Sequence, residues 1–196
     1  MNVKSKSAKA ENAQQRFAAL YRNAQPDVLA FVARRCYAAA GSNSLVQAED
    51  ITHEAFLVAW KRFDEIPANL SDARAWLFTV ARNCLLNDGR AVAKRGAMQV
   101  QIADDAFPIL PNPHDVTATR IDLKAAWQKL PPDYQEVLAL AAWDGLDSKQ
   151  AAKVLSITST AYRMRLSRAR ATLKQAIEPE AEQEPAPAAL HHLAFA

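Results

Sequence analysis

The sequence has little glycine, two cysteines and no long apolar run, and each scarcity excludes a class of protein. Glycine accounts for 4 of 196 residues and alanine for 41, which disfavours hairpin-rich folds and predicts a mostly helical protein. The longest apolar run, Val137–Trp143, has seven residues, whereas a membrane span needs about 20. The lysines at the N-terminus precede no apolar stretch, so no secretory signal is indicated. We therefore expect a cytoplasmic protein without membrane insertion.

The sequence also lacks the groupings that carry catalysis or bind metals. Cys36 and Cys84 are isolated thiols in apolar helical patterns, without CxxC spacing, which favours reduced structural cysteines. None of the four histidines has zinc-ligand spacing with either cysteine. No glycine-rich phosphate loop and no pair of nucleophile and base is recognisable. We expect no enzyme activity, cofactor, metal site or small-molecule substrate.

The net charge of +3 conceals blocks of opposite sign along the chain. A basic N-terminal arm (1–16) carries +3, and residues 17–95 carry +2. Residues 96–118 carry −3, lack lysine and arginine, and contain three prolines within six residues, which predicts a flexible linker. Residues 119–177 carry +5, and the Pro/Ala-rich tail (178–196) carries −4. The sequence thus predicts an all-α protein in which two small helical domains, 17–95 and 119–177, are joined by a flexible linker.

The first domain contains a helical pattern with one apolar and one largely acidic face. The apolar face, predicted to lie in the core, consists of Ile51, Ala55, Phe56, Ala59, Trp60 and Phe63. The opposite face carries Asp50, His53, Glu54, Leu57 and Lys61. Periodicity alone is compatible with an ordinary solvated surface that includes one leucine.

A basic stretch follows Pro67. Its buried face is predicted to contain Leu77, Val80, Ala81, Cys84 and Ala91. Another stripe carries Asn83, Asn87, Arg90 and Lys94, and residues 74–95 contain five basic side chains and one acid. Cations bind phosphate, amides reach base edges, and aromatic rings such as Trp76 and Phe78 stack on unpaired bases. The alternative, equally open at this point, is that the two aromatic residues are core and the arginines are solvated.

The second domain has the pattern of a helix-turn-helix. Prolines 131 and 132 suit the first turn of a helix whose apolar stripe is Val137, Leu138, Ala141 and Ala142 and which ends at Gly145. Asp147 and Gln150 have capping-box spacing, which predicts a second helix that buries Ala151, Val154 and Leu155. After a turn at residues 156–158, Tyr162, Leu166, Ala169 and Leu173 mark the buried face of a third helix.

The charge of this third helix indicates DNA binding. Residues 156–177 contain four arginines and one lysine and no acid, whereas a merely solvated helix usually mixes both signs. Helical geometry directs Thr160, Ala161, Met164, Arg165 and Arg168 outward. Arg163 lies at the edge of the core, from which its head can reach a phosphate.

Three segments together resemble a sigma factor of bacterial RNA polymerase, of the compact extracytoplasmic-function group. Residues 47–57 with Trp60 are similar to that family's polymerase-binding helix, and residues 74–83 with Asp88, Arg90 and Arg95 to its segment for minus-ten recognition and melting. Leu130–Pro131, Gly145 and residues 166–170 resemble its minus-thirty-five reader. The resemblance spans about residues 13–177 and implies core RNA polymerase, promoter DNA and an anti-sigma factor as partners.

The resemblance assigns each surface a role. For core polymerase it implies Glu49, Asp50, His53, Glu54, Leu57 and Lys61. For the minus-ten element it implies Arg74, Trp76, Arg82, Asn83, Asn87, Arg90, Lys94 and Arg95. For the minus-thirty-five element it implies Thr160, Ala161, Arg163, Met164, Arg165 and Arg168.

Some features depart from the family or leave alternatives open. Ser156 stands where glycine is common, so that turn either avoids a positive φ or is strained. The tail is either inert or carries a docking motif at residues 190–195. Two other functions are considered: a dimeric helix-turn-helix regulator that acts without polymerase, and a helical enzyme with a site at Glu49, Asp50, His53 and Glu54.

Overall fold

The computed structural model describes residues 3–36, 44–88 and 123–177, and every regular element within these ranges is helical. The first module consists of α1 (Val3–Cys36), α2 (Ser44–Lys61), a 3-10 turn (Phe63–Glu65) and α3 (Leu70–Asp88). The second consists of α4 (123–129), α5 (Pro132–Ala142), α6 (Ser148–Val154) and α7 (Ser159–Ile177). The predicted all-α fold class is confirmed. The predicted linker and tail lie outside the described residues.

Helix α1 continues across the boundary predicted between residues 16 and 17, so that boundary does not coincide with a break in secondary structure. Pro26 lies inside the helix, although proline removes a backbone hydrogen bond there. Tertiary packing stabilises the helix on both sides of it, because Leu20 and Ala24 are buried before the proline and Val28 and Phe31 after it. No helix in the described ranges combines the length and the apolar character that crossing a membrane requires.

The three long helices of the first module pack around an aromatic core. The rings of Phe31 (α1) and Phe78 (α3) stack with centroids 4.7 Å apart and planes 10° apart. The predicted apolar face of α2 is confirmed except at its edge, because Trp60 is 46% exposed. That expectation was wrong because the rings beside the indole, Phe17 (centroids 4.9 Å apart) and Phe63 (6.1 Å), leave nearly half of Trp60 exposed. Phe63 is half-buried.

Helix α3 begins where Asn69 caps it. The Asn69 side-chain oxygen accepts hydrogen bonds from the backbone N–H groups of Ser71 (2.8 Å) and Asp72 (3.3 Å), which satisfies donors that have no partner within the helix. The predicted buried face is confirmed at Leu77, Val80, Ala81 and Cys84, and Ala91 lies outside the described residues. Phe78 is buried, so for this residue the structure supports the core alternative.

The predicted start of α5 is confirmed, since Pro131 is its N-cap and Pro132 its first residue. The predicted apolar stripe is only partly correct. Val137 and Leu138 are buried, but Ala142 is exposed and Ala141 half-buried. The residues that are fully buried instead are Ala139 and Leu140. The difference arises because α5 packs against α6 and α7 and also faces the first module, so more than one stripe of it is covered.

The helix-turn-helix is confirmed in detail. Gly145 has a φ of +61°, and Asp147 and Gln150 form a complete capping box at the start of α6. Ser156 adopts a φ of 56°. The turn therefore does not avoid a positive φ, and the serine is held in a strained, left-handed conformation. The predicted buried residues of α6 and α7 are confirmed, with Leu173 half-buried. The Tyr162 hydroxyl ties α7 to α5 by donating to the Val137 carbonyl at 3.1 Å.

Candidate functional surfaces

The exposed side of α2, here called the acidic α2 surface, lies opposite the buried stripe of that helix. Its residues are Glu49, Asp50, His53, Glu54, Leu57 and Lys61, and all six are exposed. Leu57 is 61% exposed and lies three residues before Trp60, so the two form an apolar pair on the helix surface. A large apolar pair among carboxylates is what a protein interface with a basic rim would use.

A shallow groove continues this surface towards the end of α3. Its lining includes Val46, Asp50, Glu54 and Asp88. The Gln47 side-chain amide donates to the Asp88 carboxylate at 2.8 Å and so ties α2 to the last residue of α3. The groove therefore belongs to the acidic α2 surface rather than to a separate site.

The basic side of α3 is partly neutralised by carboxylates from other helices. Arg74 is paired with Asp27 of α1 at 2.9 Å. Arg82 donates to Glu136 of α5 through Nε (3.0 Å) and Nη2 (3.4 Å). The other predicted minus-ten residues in the described ranges are Trp76, which is half-buried, and Asn83 and Asn87, which are exposed. Arg90, Lys94 and Arg95 lie outside the described residues.

Trp76 has a cationic neighbour. The Arg62 guanidinium carbon lies 5.7 Å from the centre of the Trp76 ring, and Arg62 is itself paired with Glu65. The contact is within cation–π range. It holds one side of the ring, and a half-buried ring is less accessible to a base than a fully exposed one would be.

The outward face of α7 is open to solvent. Thr160, Ala161, Arg163, Met164 and Arg168 are exposed, and Met164 is 53% exposed. Arg165 is half-buried, with its Nε 3.5 Å from a carboxylate oxygen of Asp133. Arg163 is within hydrogen-bond distance of the Thr160 hydroxyl at 3.4 Å. The helix thus presents the cationic and polar groups that groove and phosphate contacts require.

An ion network that the sequence did not predict connects the modules. It is formed by Arg34, Arg35, Arg82, Glu136 and Asp144. Asp144 pairs with Arg34, and its second oxygen lies 3.5 Å from Nη2 of Arg35. Oε1 of Glu136 lies 3.0 Å from Nε of Arg82 and 3.9 Å from Nε of Arg35. Three arginines of the first module therefore face two carboxylates of the second.

Arg35 is at the centre of this network and is fully buried. Burial lowers the pKa of Arg35 from its ordinary value, and the nearby charges of Asp144 and Glu136 oppose that shift. The guanidinium also lies 3.6 Å from the centre of the Phe31 ring and donates to the Phe31 carbonyl at 2.9 Å. Because guanidinium has a very high intrinsic pKa, Arg35 remains a buried cation that needs both carboxylates.

Gln150 adds a neutral contact between the modules. Its side-chain nitrogen is 3.0 Å from the Ser71 hydroxyl and 3.0 Å from a carboxylate oxygen of Asp72. The same side chain completes the capping box of α6 through its oxygen. One residue therefore both starts the helix-turn-helix and docks it against α3.

Both cysteines face the core of the first module and are free thiols. Burial raises the pKa of Cys36 and that of Cys84 to about 11, with smaller contributions from Asp88 and Glu54 respectively. Such thiols are poor nucleophiles at neutral pH. In the part of the chain that the structure describes, no three histidine, cysteine or acidic side chains converge as a metal site would require.

Two family models match the chain, each on one module. Sigma-70 region 2 matches residues 20–95, and Sigma-70, region 4, matches residues 120–173. The ECF RNA polymerase sigma factor SigL of Mycobacterium tuberculosis is 30% identical over 132 residues, a match that covers 66% of this chain and 74% of SigL. The chain belongs to the extracytoplasmic-function (ECF) sigma factors.

Further likenesses agree with this family. The probable RNA polymerase sigma factor RfaY of Xanthomonas campestris is 32% identical over 142 residues, and the sigma factor described here spans 34% of that longer protein. The solved structure of the sigma factor RpoE of Bartonella quintana, in complex with the anti-sigma factor NepR, superposes with a TM-score of 0.54 at 24% identity. That match covers 85% of this sigma factor and 99% of RpoE, and it supports the fold.

A sequence signal for the inter-module network exists but is weak. Arg34 and Arg35 follow the buried residues Phe31 and Val32 after a single alanine, and Glu136 directly precedes the buried Val137. Charges inside an apolar stretch are seldom fully buried without a partner. The sequence of the sigma factor does not say that the partner of each charge lies on the other module.

Proposed function

We propose that this sigma factor binds core RNA polymerase through the acidic α2 surface and directs promoter recognition and melting through α3 and α7. The observation that carries the proposal is the presence, on one chain, of an exposed apolar pair among carboxylates and an acid-free basic helix in a helix-turn-helix. The polymerase supplies the chemistry, so the sigma factor has no catalytic role, and it acts in the cytoplasm with the polymerase.

The acidic α2 surface suits a helical protein partner with basic flanks. Leu57 supplies an apolar anchor, and Asp50 and Glu54 lie on the same exposed side of the helix. An apolar centre with a charged rim is the usual composition of a transient interface. Glu49, His53 and Lys61 extend the rim.

The minus-ten element is assigned to α3 and the residues that follow it. The exposed amides of Asn83 and Asn87 can reach base edges, and Trp76 offers a partly accessible ring for an unstacked base. Arg74 and Arg82 supply phosphate contacts once their carboxylate partners yield to DNA. Arg90, Lys94 and Arg95 would extend the basic surface.

The minus-thirty-five element is assigned to α7, the second helix of a helix-turn-helix. Thr160, Ala161 and Met164 lie towards its N-terminal end, which is the end that enters the major groove in this motif. Arg163, Arg165 and Arg168 then reach phosphates or guanines. An apolar Met164 favours contact with a thymine methyl group.

An anti-sigma factor is a proposed further partner. The solved complex with NepR concerns a sigma factor of similar fold, as does the complex of CnrH with the cytosolic domain of CnrY (TM-score 0.50, 23% identity). Both complexes indicate that the exposed surfaces of such a fold accept a protein partner.

Transcription with purified components tests the proposal. We expect start sites that depend on this protein when it is added to core polymerase and genomic promoter fragments. A Leu57→Ala, Glu54→Lys variant should lose binding to core polymerase, whereas the control Asp64→Lys, an exposed acid outside the acidic α2 surface, should keep it. Absence of both transcription and core binding by the unaltered protein would favour a helix-turn-helix regulator that acts alone.

A further inference from the structure

The contact between the two modules covers a residue that the proposed function assigns to DNA. Glu136 of α5 binds Arg82 of α3 side-on, with Nε–Oε1 at 3.0 Å and Nη2–Oε2 at 3.4 Å. This two-bonded arrangement of guanidinium and carboxylate is the one in which arginine also binds phosphate. The carboxylate therefore occupies the position on Arg82 that a DNA phosphate would take.

The rest of the contact has the character of a specific interface. Asp144 is fully buried against Arg34 and Arg35, and Gln150 bonds to both Ser71 and Asp72. Buried ion pairs are stable only while every partner is in place, since an isolated buried charge is strongly unfavourable. When the modules separate, all of these groups must find water or another partner together.

The modules cannot read both promoter elements while they touch. Elements at minus ten and minus thirty-five lie about 25 base pairs apart, which is about 85 Å of duplex at 3.4 Å per base pair. The longest helix of the second module, α7, has 19 residues and is about 29 Å long. Contact between α3 and α6 therefore defines an arrangement that must open before both elements are bound.

From these observations we propose that the structure is an autoinhibited state in which Glu136 and Asp144, here called the carboxylate latch, hold the second module on the first and exclude DNA from Arg82. The proposal rests on the proposed function, because it takes Arg82 as a DNA contact. It adds a means of self-restraint within the chain, through the two carboxylates and three arginines of the ion network. Opening exposes the α3 face and frees the second module to reach upstream DNA.

The latch predicts the response of the full chain to its removal. The apparent affinity of a ligand that needs the open state falls in proportion to the fraction of open molecules. If about one molecule in ten is open, the variant Glu136→Gln, Asp144→Asn binds a short labelled oligothymidylate up to about tenfold more tightly than the unaltered protein. Glu11→Gln, Asp64→Asn is the matched control, because it removes the same two negative charges at exposed positions of the first module that are assigned to neither DNA nor the ion network.

A distance measurement tests the closed state directly. Nitroxide labels at Gln15→Cys and Lys153→Cys, which are exposed positions on different modules, report the inter-module distance by pulsed electron resonance. Both native cysteines are buried, so we expect the label to react with the two introduced cysteines. We expect one short distance in the unaltered and Glu11→Gln, Asp64→Asn proteins and an additional longer distance in the latch variant. The same distance distribution in all three would overturn the proposal.

Two further measurements guard against a misfolded variant. In an Arg82→Gln background the latch substitutions should give a much smaller gain in oligothymidylate binding, and an equal gain would show that Arg82 is not the masked group. In a Ser71→Cys, Gln150→Cys protein, a short cleavable bis-maleimide should weaken oligothymidylate binding, and its cleavage should restore it. Binding that is unaffected by the cross-link contradicts autoinhibition.

The proposed function and the latch fail in different ways. Transcription with core polymerase decides the first and needs no information on the closed state. If the sigma factor supports transcription but shows no change of distance on removal of the latch, only the latch is wrong. If the distance changes as expected but no transcription occurs, the closed state is supported and the proposed role of Arg82 at a promoter is refuted.

Discussion

Helices α3 and α7 both carry basic surfaces assigned to DNA, but their arginines differ in how they are held. On α3, Arg74 and Arg82 are paired with carboxylates of α1 and α5. On α7, Arg163 and Arg168 are exposed, and Arg165 lies near Asp133 of its own module. Helical spacing predicts which side chains point away from the core of their own module. Whether another module then covers them depends on partners that are distant in the sequence.

The largest contrast is expected in thiol reactivity on the two helices. Cys84 faces the core from α3, and burial raises its pKa to about 11, so its thiolate is about 100-fold scarcer at neutral pH than that of an ordinary thiol. A cysteine at the exposed position Met164 on α7 should therefore be alkylated at least about 100-fold faster than Cys84. Iodoacetamide labelling followed by peptide mass spectrometry measures both rates.

The rate of alkylation should depend on pH differently for these two thiols. Labelling of Met164→Cys should level off above the ordinary thiol pKa, whereas that of Cys84 should keep rising towards pH 11 while the protein stays folded. Equal rates at neutral pH would show that α3 is not packed as described.

Substitution of two arginines on α7 should weaken upstream DNA contacts without affecting polymerase binding. Each lost arginine contact to DNA is worth about 1–3 kcal/mol, so Arg165→Ala, Arg168→Ala should lower transcription from promoters that depend on the upstream element by about 30-fold or more. Binding to core polymerase should persist. Lys149→Ala, an exposed cation on α6, serves as the control. A parallel loss of core binding would refute the division of labour between α2 and α7.

A smaller effect is expected on α3. Replacement of Asn83 and Asn87 with alanine removes two exposed amides that are proposed to reach base edges. The expected loss of transcription is about tenfold, since each neutral hydrogen bond contributes about 0.5–1.5 kcal/mol and two are removed. The control Asn23→Ala removes an exposed amide from α1. Unchanged transcription with open promoter complexes would remove α3 amides from the minus-ten assignment.

The smallest predicted effects have opposite signs in the two turns of the second module. Gly145→Ala should lower the free energy of unfolding by about 1 kcal/mol, because alanine disfavours its positive φ. An added Cβ would meet only the end of the Arg74 side chain, at 3.6 Å, so little steric cost is added. Ser156→Gly should instead raise the free energy of unfolding by about 0.5–1 kcal/mol, because glycine adopts a positive φ without strain. Urea denaturation monitors both, and a loss of stability in Ser156→Gly would show that the serine is not strained.

Local chemistry explains why much of the fold was predictable. The capping box at Asp147 and Gln150 and the turn at Gly145 depend on residues a few positions apart, and the structure confirms them. The failures lie at edges and interfaces. Trp60 lies at the margin of the apolar stripe of α2, where the Phe17 and Phe63 rings cover it only in part. Ala142 was predicted to be buried but is exposed, because α5 also faces the first module on another side.

The sequence by itself determined the helical class, most of the exposed residues of α2 and α7, and the family, because each follows from composition, from the period of the apolar residues or from short motifs. Only the tertiary structure decided the partners of Arg34, Arg35 and Arg82. Their carboxylates come from a module more than fifty residues away along the chain. Charge attraction has no period in sequence, so a buried ion network is found only when the surfaces that carry it are brought together.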